Sequence, residues 1–156
     1  MSGVRTRALA AAGAVAAAVV GGIGTDPESA WYCSLAKPPW QPPPLAFPLV
    51  WTPLYVLIGY GTGQMLESEP DPAQRRRLAA LVAADLAANA GWCWIFFKGR
   101  SPAAGLAGIA VLDALNIELL RQAARRDAKA AAALAPYVAW SLFATALNAD
   151  IWSRNR

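Results

Sequence analysis

The chain has no histidine among its 156 residues, and this exclusion reaches further than any other feature of its composition. It removes the side chain that titrates near neutrality, the commonest zinc ligand and the usual axial ligand of haem iron. Ser–His and Cys–His nucleophile pairs cannot be built. Cysteine is scarce: Cys33 falls in a polar stretch and Cys93 in an apolar run, with no Cys-x-x-Cys. Neither a zinc site nor a dithiol redox motif is suggested, and both read as free thiols. Glycine-rich phosphate loops of the G-x-G-x-x-G and G-x-x-x-x-G-K-[ST] kinds are missing. No metal site and no covalently bound cofactor is therefore expected.

Charge is also in short supply. Only 15% of residues are charged, against roughly 25% in a soluble domain. Meanwhile 56% are hydrophobic and the mean hydropathy is +0.32. This balance points to lipid as the solvent. The net charge of +4 is not read as a nucleic-acid footprint. The basic residues sit in short clusters between apolar runs, as the flanks of membrane helices do, and form no stripe with interleaved aromatics.

What the chain does have is long apolar runs, which read as one domain spanning residues 1–156. A bilayer core of roughly 30 Å needs about 20 apolar residues in a helix. Runs at about 8–24, 45–66, 78–97, 103–120 and 130–152 meet that need. Backbone exposed to lipid must satisfy its own hydrogen bonds, so each run is expected to be helical. The fold class is an all-α, multi-pass membrane protein: a bundle of five transmembrane helices. Arg5 and Arg7 before an Ala/Val stretch resemble a signal peptide. The stretch continues unbroken to Gly24, so it is taken as the first membrane helix.

Lys and Arg concentrate before the first run, at Arg75, Arg76 and Arg77, and at Arg121, Arg125, Arg126 and Lys129. The positive-inside rule then puts the N-terminus in the cytoplasm and the C-terminus outside. Small residues recur every four positions as Ala80, Ala84, Ala88 and as Ala83, Ala87, Gly91 in the third run, and as Gly13, Ala17, Gly21 in the first. Such faces let membrane helices approach closely, either within the bundle or across a dimer seam.

The segment 37–55 is the least ordinary part of the chain. It reads Lys37-Pro38-Pro39-Trp40-Gln41-Pro42-Pro43-Pro44, then Phe47-Pro48 and Trp51-Thr52-Pro53-Leu54-Tyr55. Its prolines impose an extended, semi-rigid approach to the second run. Phe47, Trp51 and Tyr55 recur every four residues and share one helix face. An interfacial aromatic belt accounts for Trp31, Tyr32 and Trp40. It accounts less well for Trp51, which should lie below the helix mouth.

With these motifs, the chain resembles the tryptophan-rich sensory protein / translocator protein family. The resemblance begins at Gly21-Gly22-Ile23-Gly24 and Trp31-Tyr32 and is strongest from Lys37 to Tyr55. It continues through Asn89, Trp92, Phe96 and Phe97. It ends with Pro136-Tyr137, Trp140, Phe143-Ala144-Thr145, Leu147-Asn148 and Trp152. It implies a five-helix bundle whose ligand cavity opens toward the loop between helices one and two. It also implies binding of porphyrin-type tetrapyrroles and other hydrophobic ligands, a role as sensor, regulator or translocator, and a homodimer through the small-residue face of the third helix. A further implication is light-driven porphyrin breakdown by tryptophans matching Trp51 and Trp140. The expected ligand-binding set is Trp40, Phe47, Trp51, Tyr55, Asn89, Trp92, Phe96, Trp140, Ala144 and Asn148.

Two positions depart from the family pattern. Asp85 stands where Gln is frequent, four residues before Asn89. Ala149 follows Leu147-Asn148 where the sterol-recognition pattern needs Tyr, so a sterol is not the expected ligand. Haem iron would find only Cys33, Cys93, Met1, Met65, tyrosine or water as ligands, so the expected guest is a metal-free, protoporphyrin-type ring held by shape and stacking.

Polar residues inside membranes are functional candidates by default. Asp85, Asn89 and Trp92 share one face of the third run. Asp113 lies near the centre of the fourth, with Asn116 and Glu118 after it, and Asn148 and Asp150 lie in the fifth. Asn89 and Asn148 either tie helices together or touch ligand. Asp113 must face the interior, be protonated or meet a cation. Lys37 is either a solvated loop lysine or a partner for a propionate. No general acid–base pair argues for a conventional enzyme, and no inverted repeat argues for a standard secondary transporter. An inner or plasma membrane is the default location.

Overall fold

The computed structural model describes residues 2–156; Met1, one of the few groups haem iron could find, lies outside the described residues. The described residues form helices α1 (Gly3–Gly24), α2 (Ala30–Ser34), α3 (Ala46–Glu67), α4 (Pro72–Cys93), α5 (Pro102–Ala124) and α6 (Ala128–Arg154). A π-helical turn, Trp94–Lys98, continues α4. α1, α4 with its π turn, α5 and α6 combine membrane-spanning length with window hydropathies of 1.4 to 1.7. α3 is also 22 residues long, but its Pro, Gly, Trp and Tyr content dilutes its hydropathy.

The helices outrun the apolar segments by two to six residues at several ends because polar caps prolong them. Ser2, Asp71, Ser101 and Asp127 accept backbone N–H hydrogen bonds at the starts of α1, α4, α5 and α6. Pro72 and Pro102 occupy first-turn positions where a missing N–H costs nothing. α2 is a single short helix within the first loop, capped by Ser29, and sequence periodicity did not resolve it.

α1 lies against α3 and α4, α3 against α6, α6 against α5, and α5 against α4, so the long helices close into a ring. Small residues set the close approaches. Gly59 and Gly63 of α3 meet the backbone of α1 at Ala11 and Arg7, and Gly61 meets Leu134 and the Ala130 carbonyl of α6. The ring is filled by Leu54, Ile58, Met65, Leu86, Leu119, Leu134 and Tyr137.

The two ends of the ring differ. At one end Arg126 donates to Glu69 at 2.7 Å, and Gln64 and Ser68 donate to Asp127. The Arg126 guanidinium holds the Glu69 carboxyl below the usual carboxylate range, and the Ala130 N–H does the same for Asp127. At the other end, the first loop folds over the helices that carry the candidate site.

Candidate functional site

The proline-rich loop is strapped across the end of the bundle by three side chains. The Trp40 indole donates to Asp150 at 3.0 Å. Asn155 accepts from the Ala36 N–H and donates to the Ala36 carbonyl, both at 2.9 Å. Lys37 is neither free in solvent nor aimed at the interior. It donates to the Tyr32 and Leu35 carbonyls and sits 4.5 Å over the Tyr32 ring. Burial pushes the Tyr32 phenol up from its ordinary value.

Beneath the strap lie three groups of aromatic rings. In the first, Phe47 of α3 meets Trp140 of α6 edge-on at 6.1 Å, Trp140 lies 5.0 Å from Phe143, and Phe143 reaches Trp40 at 5.8 Å. In the second, Trp92 stacks on Phe96 at 5.2 Å, and Phe96 meets Trp31 and Tyr32. The π turn explains why consecutive Phe96 and Phe97 both face inward: a widened turn rotates its neighbours differently from a regular α-helix. In the third, Trp51 stacks on Tyr55 at 5.4 Å and meets Tyr137 edge-on at 6.2 Å.

Polar side chains stitch these groups together. Trp92 donates to Asn148 at 3.2 Å, and Asn148 donates to the Pro102 carbonyl at 2.8 Å, where α5 begins. Tyr55 donates to the Asn89 carbonyl oxygen at 2.8 Å. The Asn89 amide donates to the Tyr137 hydroxyl at 3.0 Å, and Tyr137 donates to Asp85 at 2.9 Å. Asp85 and Tyr137 are fully buried. Both asparagines therefore tie helices together, and both do so beside candidate ligand rings.

Nine of the ten expected site residues are drawn into these ring contacts and hydrogen bonds. Ala144 is half-buried on α6 and takes no part in them. Trp51 and Trp140 sit in separate aromatic groups, each half-buried. Tyr137, the hub between Trp51, Asn89 and Asp85, is a motif residue that the sequence reading leaves outside the site. Its helical spacing from Ser141, Ala144 and Asn148 was the signal that could have placed it.

Asp113 faces the interior and has no basic partner among the described residues. Ser141 and Thr145 of α6 donate to its two oxygens, at 2.6 and 2.5 Å. Asn116, one turn on and also buried, makes no side-chain hydrogen bond among the described residues. Glu118 is held by Arg121 and Gln122, and Asp150 by Arg154 and Trp40. The small residues Ala80, Ala83, Ala84 and Ala87 of α4 point outward, and Ala83 and Ala87 line a shallow apolar furrow between α4 and α1.

A sequence profile described as the TspO/MBR family matches residues 8–153. Among similar proteins, a tryptophan-rich protein TspO of Chlorobaculum tepidum is 35% identical over 83% of this chain and 82% of its own length. A tryptophan-rich sensory protein of Cereibacter sphaeroides is 33% identical over 80% of this chain and 77% of its own. A translocator protein of Bos taurus is 32% identical over 81% of this chain and 75% of its own.

Proposed function

Since the chain belongs to the TspO/MBR family of membrane proteins, we propose that it binds porphyrin-type tetrapyrroles and other hydrophobic ligands among the aromatic rings under its first loop, acting as a sensor, regulator or translocator. One observation carries this reading. Rings from α3, α4 and α6 converge below a loop held by hydrogen bonds, with a few polar anchors, Asn89, Asn148 and Tyr55, set among them. A mostly apolar site with sparse polar groups is the usual design for a flat hydrophobic guest. Each ring face offers about 0.5–1.5 kcal/mol of stacking. The guest enters by parting the Phe47–Trp140 and Trp51–Tyr55 contacts, which opens the cavity toward the loop.

In this reading α3 crosses the membrane with the other long helices, because it sits in the ring between α1 and α6. The outward small-residue face of α4 is the homodimer seam. An inner or plasma membrane is the location.

A second reading has a specific observation behind it. Trp51 lies against two tyrosines, one stacked and one edge-on. An excited porphyrin on that group has an oxidisable indole within contact. Illumination decides between the readings. Loss of the protoporphyrin absorbance only in light, abolished in a Trp51→Phe, Trp140→Phe double variant, favours degradation. Stable binding in light and dark favours sensing or transport.

A further inference from the structure

The C-terminal end of α6 grips the first loop through bonds that can run only one way. The Asn155 amide oxygen accepts from the Ala36 N–H at 2.9 Å. Its nitrogen donates to the Ala36 carbonyl at 2.9 Å and to the Ile151 carbonyl at 2.7 Å. A backbone N–H only donates and a carbonyl only accepts, so the side chain has one orientation. The bond to Ile151 ties it to the last turn of its own helix. Asp150 takes the Trp40 indole N–H at 3.0 Å on one oxygen and Arg154 at 2.6 Å on the other.

These are the holds on the second half of the loop. Among the described residues, the segment 35–42 makes no other hydrogen bond to a long helix. The first half is anchored separately, by Trp31 and Tyr32 against Phe96 and by Asp26 with Lys98. Residues 38–44 are rich in proline: Pro38, Pro39, Pro42, Pro43 and Pro44. Proline fixes the backbone, so this stretch moves as a stiff unit. Freed at Ala36 and Trp40, it lifts away together from the rings of α6 beneath it.

We propose that Asn155 and Asp150 form a latch that holds the proline-rich segment closed over the aromatic rings and so sets how fast a flat hydrophobic guest enters and leaves. Both are positioning residues, and neither touches the guest. A latch made alike in the empty and occupied protein biases opening by one factor in both states. Weakening it therefore raises the association and dissociation rates together and leaves their ratio unchanged. The proposal rests on the placement of the ligand site under the first loop, and it adds the step that controls access.

The purified full chain in lipid nanodiscs tests it in two ways. In the empty protein, chymotryptic cleavage after Trp40 reports opening, because cleavage of a transiently opened segment follows its open population. Asn155→Ala should speed that cleavage about three- to tenfold, the worth of a hydrogen bond. Asp150→Ala should act in the same direction. Ser153→Ala is the control for fraying of the helix end, since its hydroxyl bonds only the Asp150 carbonyl, and it should change nothing. With protoporphyrin IX, stopped-flow tryptophan quenching should show both rates raised by a similar factor in Asn155→Ala, with Kd held within about twofold. Cleavage indifferent to Asn155→Ala, or quickened as much by Ser153→Ala, would overturn the proposal. So would a change confined to one of the two rates, which would make Asn155 a ligand contact. Protoporphyrin binding with both rates unchanged sinks this inference alone. Faster cleavage in a protein without saturable protoporphyrin binding sinks the tetrapyrrole reading and leaves the latch standing.

Discussion

Tyr137 and Asn116 are both buried polar residues of the bundle, yet their substitution should have opposite consequences. Tyr137 satisfies Asn89 and Asp85 at once. Tyr137→Phe leaves a buried amide and a buried carboxyl group without their partner, and each such loss costs about 1–3 kcal/mol. Asn116 has a buried amide with no partner among the described residues, so Asn116→Leu removes polar atoms that gain nothing from burial. It should be neutral or stabilising. Thermal unfolding in detergent, followed by circular dichroism, compares the two variants directly. A third residue-scale outcome concerns pH. Glu69 and Asp127 are held below their ordinary carboxylate values in the folded protein. Their contribution to stability is therefore present above the unfolded-state values and lost as pH falls through the folded ones. The melting temperature should drop as pH is lowered below about 4, and Glu69→Gln should lessen that drop relative to the unaltered protein.

At the scale of the helix, small residues decide which elements can meet. A Cβ at Gly105 would lie 2.8 Å from Phe96 and 2.9 Å from Asn148, where the start of α5 passes the π turn and α6. Gly105→Ala should cost about 1–3 kcal/mol by overpacking and disturb the Trp92–Asn148 hydrogen bond with it. Gly22 has nothing near it, and Gly22→Ala should stabilise α1 by about 0.5–1 kcal/mol through helix preference alone. Side-by-side melts of these two variants check the contrast. The sequence exposed the helices themselves because lipid-length apolar runs are a strong signal. It also exposed the shared face of Phe47, Trp51 and Tyr55 and that of Asp85, Asn89 and Trp92, because a 3.6-residue period is local. It did not expose α2, which is too short to carry a period, or the π turn, which breaks one. Nor could it show that Asn89 reaches Tyr137 or that Asn155 clasps Ala36, since those pairings join elements far apart in the chain.

For the molecule as a whole, orientation and ligand binding are the claims with most at stake. The strapped loop carries Cys33, which is exposed, whereas Cys93 is half-buried against α1. The positive-inside rule predicts the N-terminus and the arginine-rich end in the cytoplasm, so a membrane-impermeant maleimide added to intact cells should label Cys33 and spare Cys93. Labelling only after the membrane is opened would reverse the orientation. The central claim is that the rings under this loop form a binding site for a flat, metal-free tetrapyrrole. Its most direct measurement is equilibrium titration of the full chain in nanodiscs with protoporphyrin IX in the dark, reading tryptophan fluorescence. The expected result is saturable quenching near one ring per chain, weakened about tenfold or more when Trp51→Leu and Trp140→Leu together remove two stacking faces. Quenching that rises linearly without saturation, or that is unchanged in the double variant, would contradict the account.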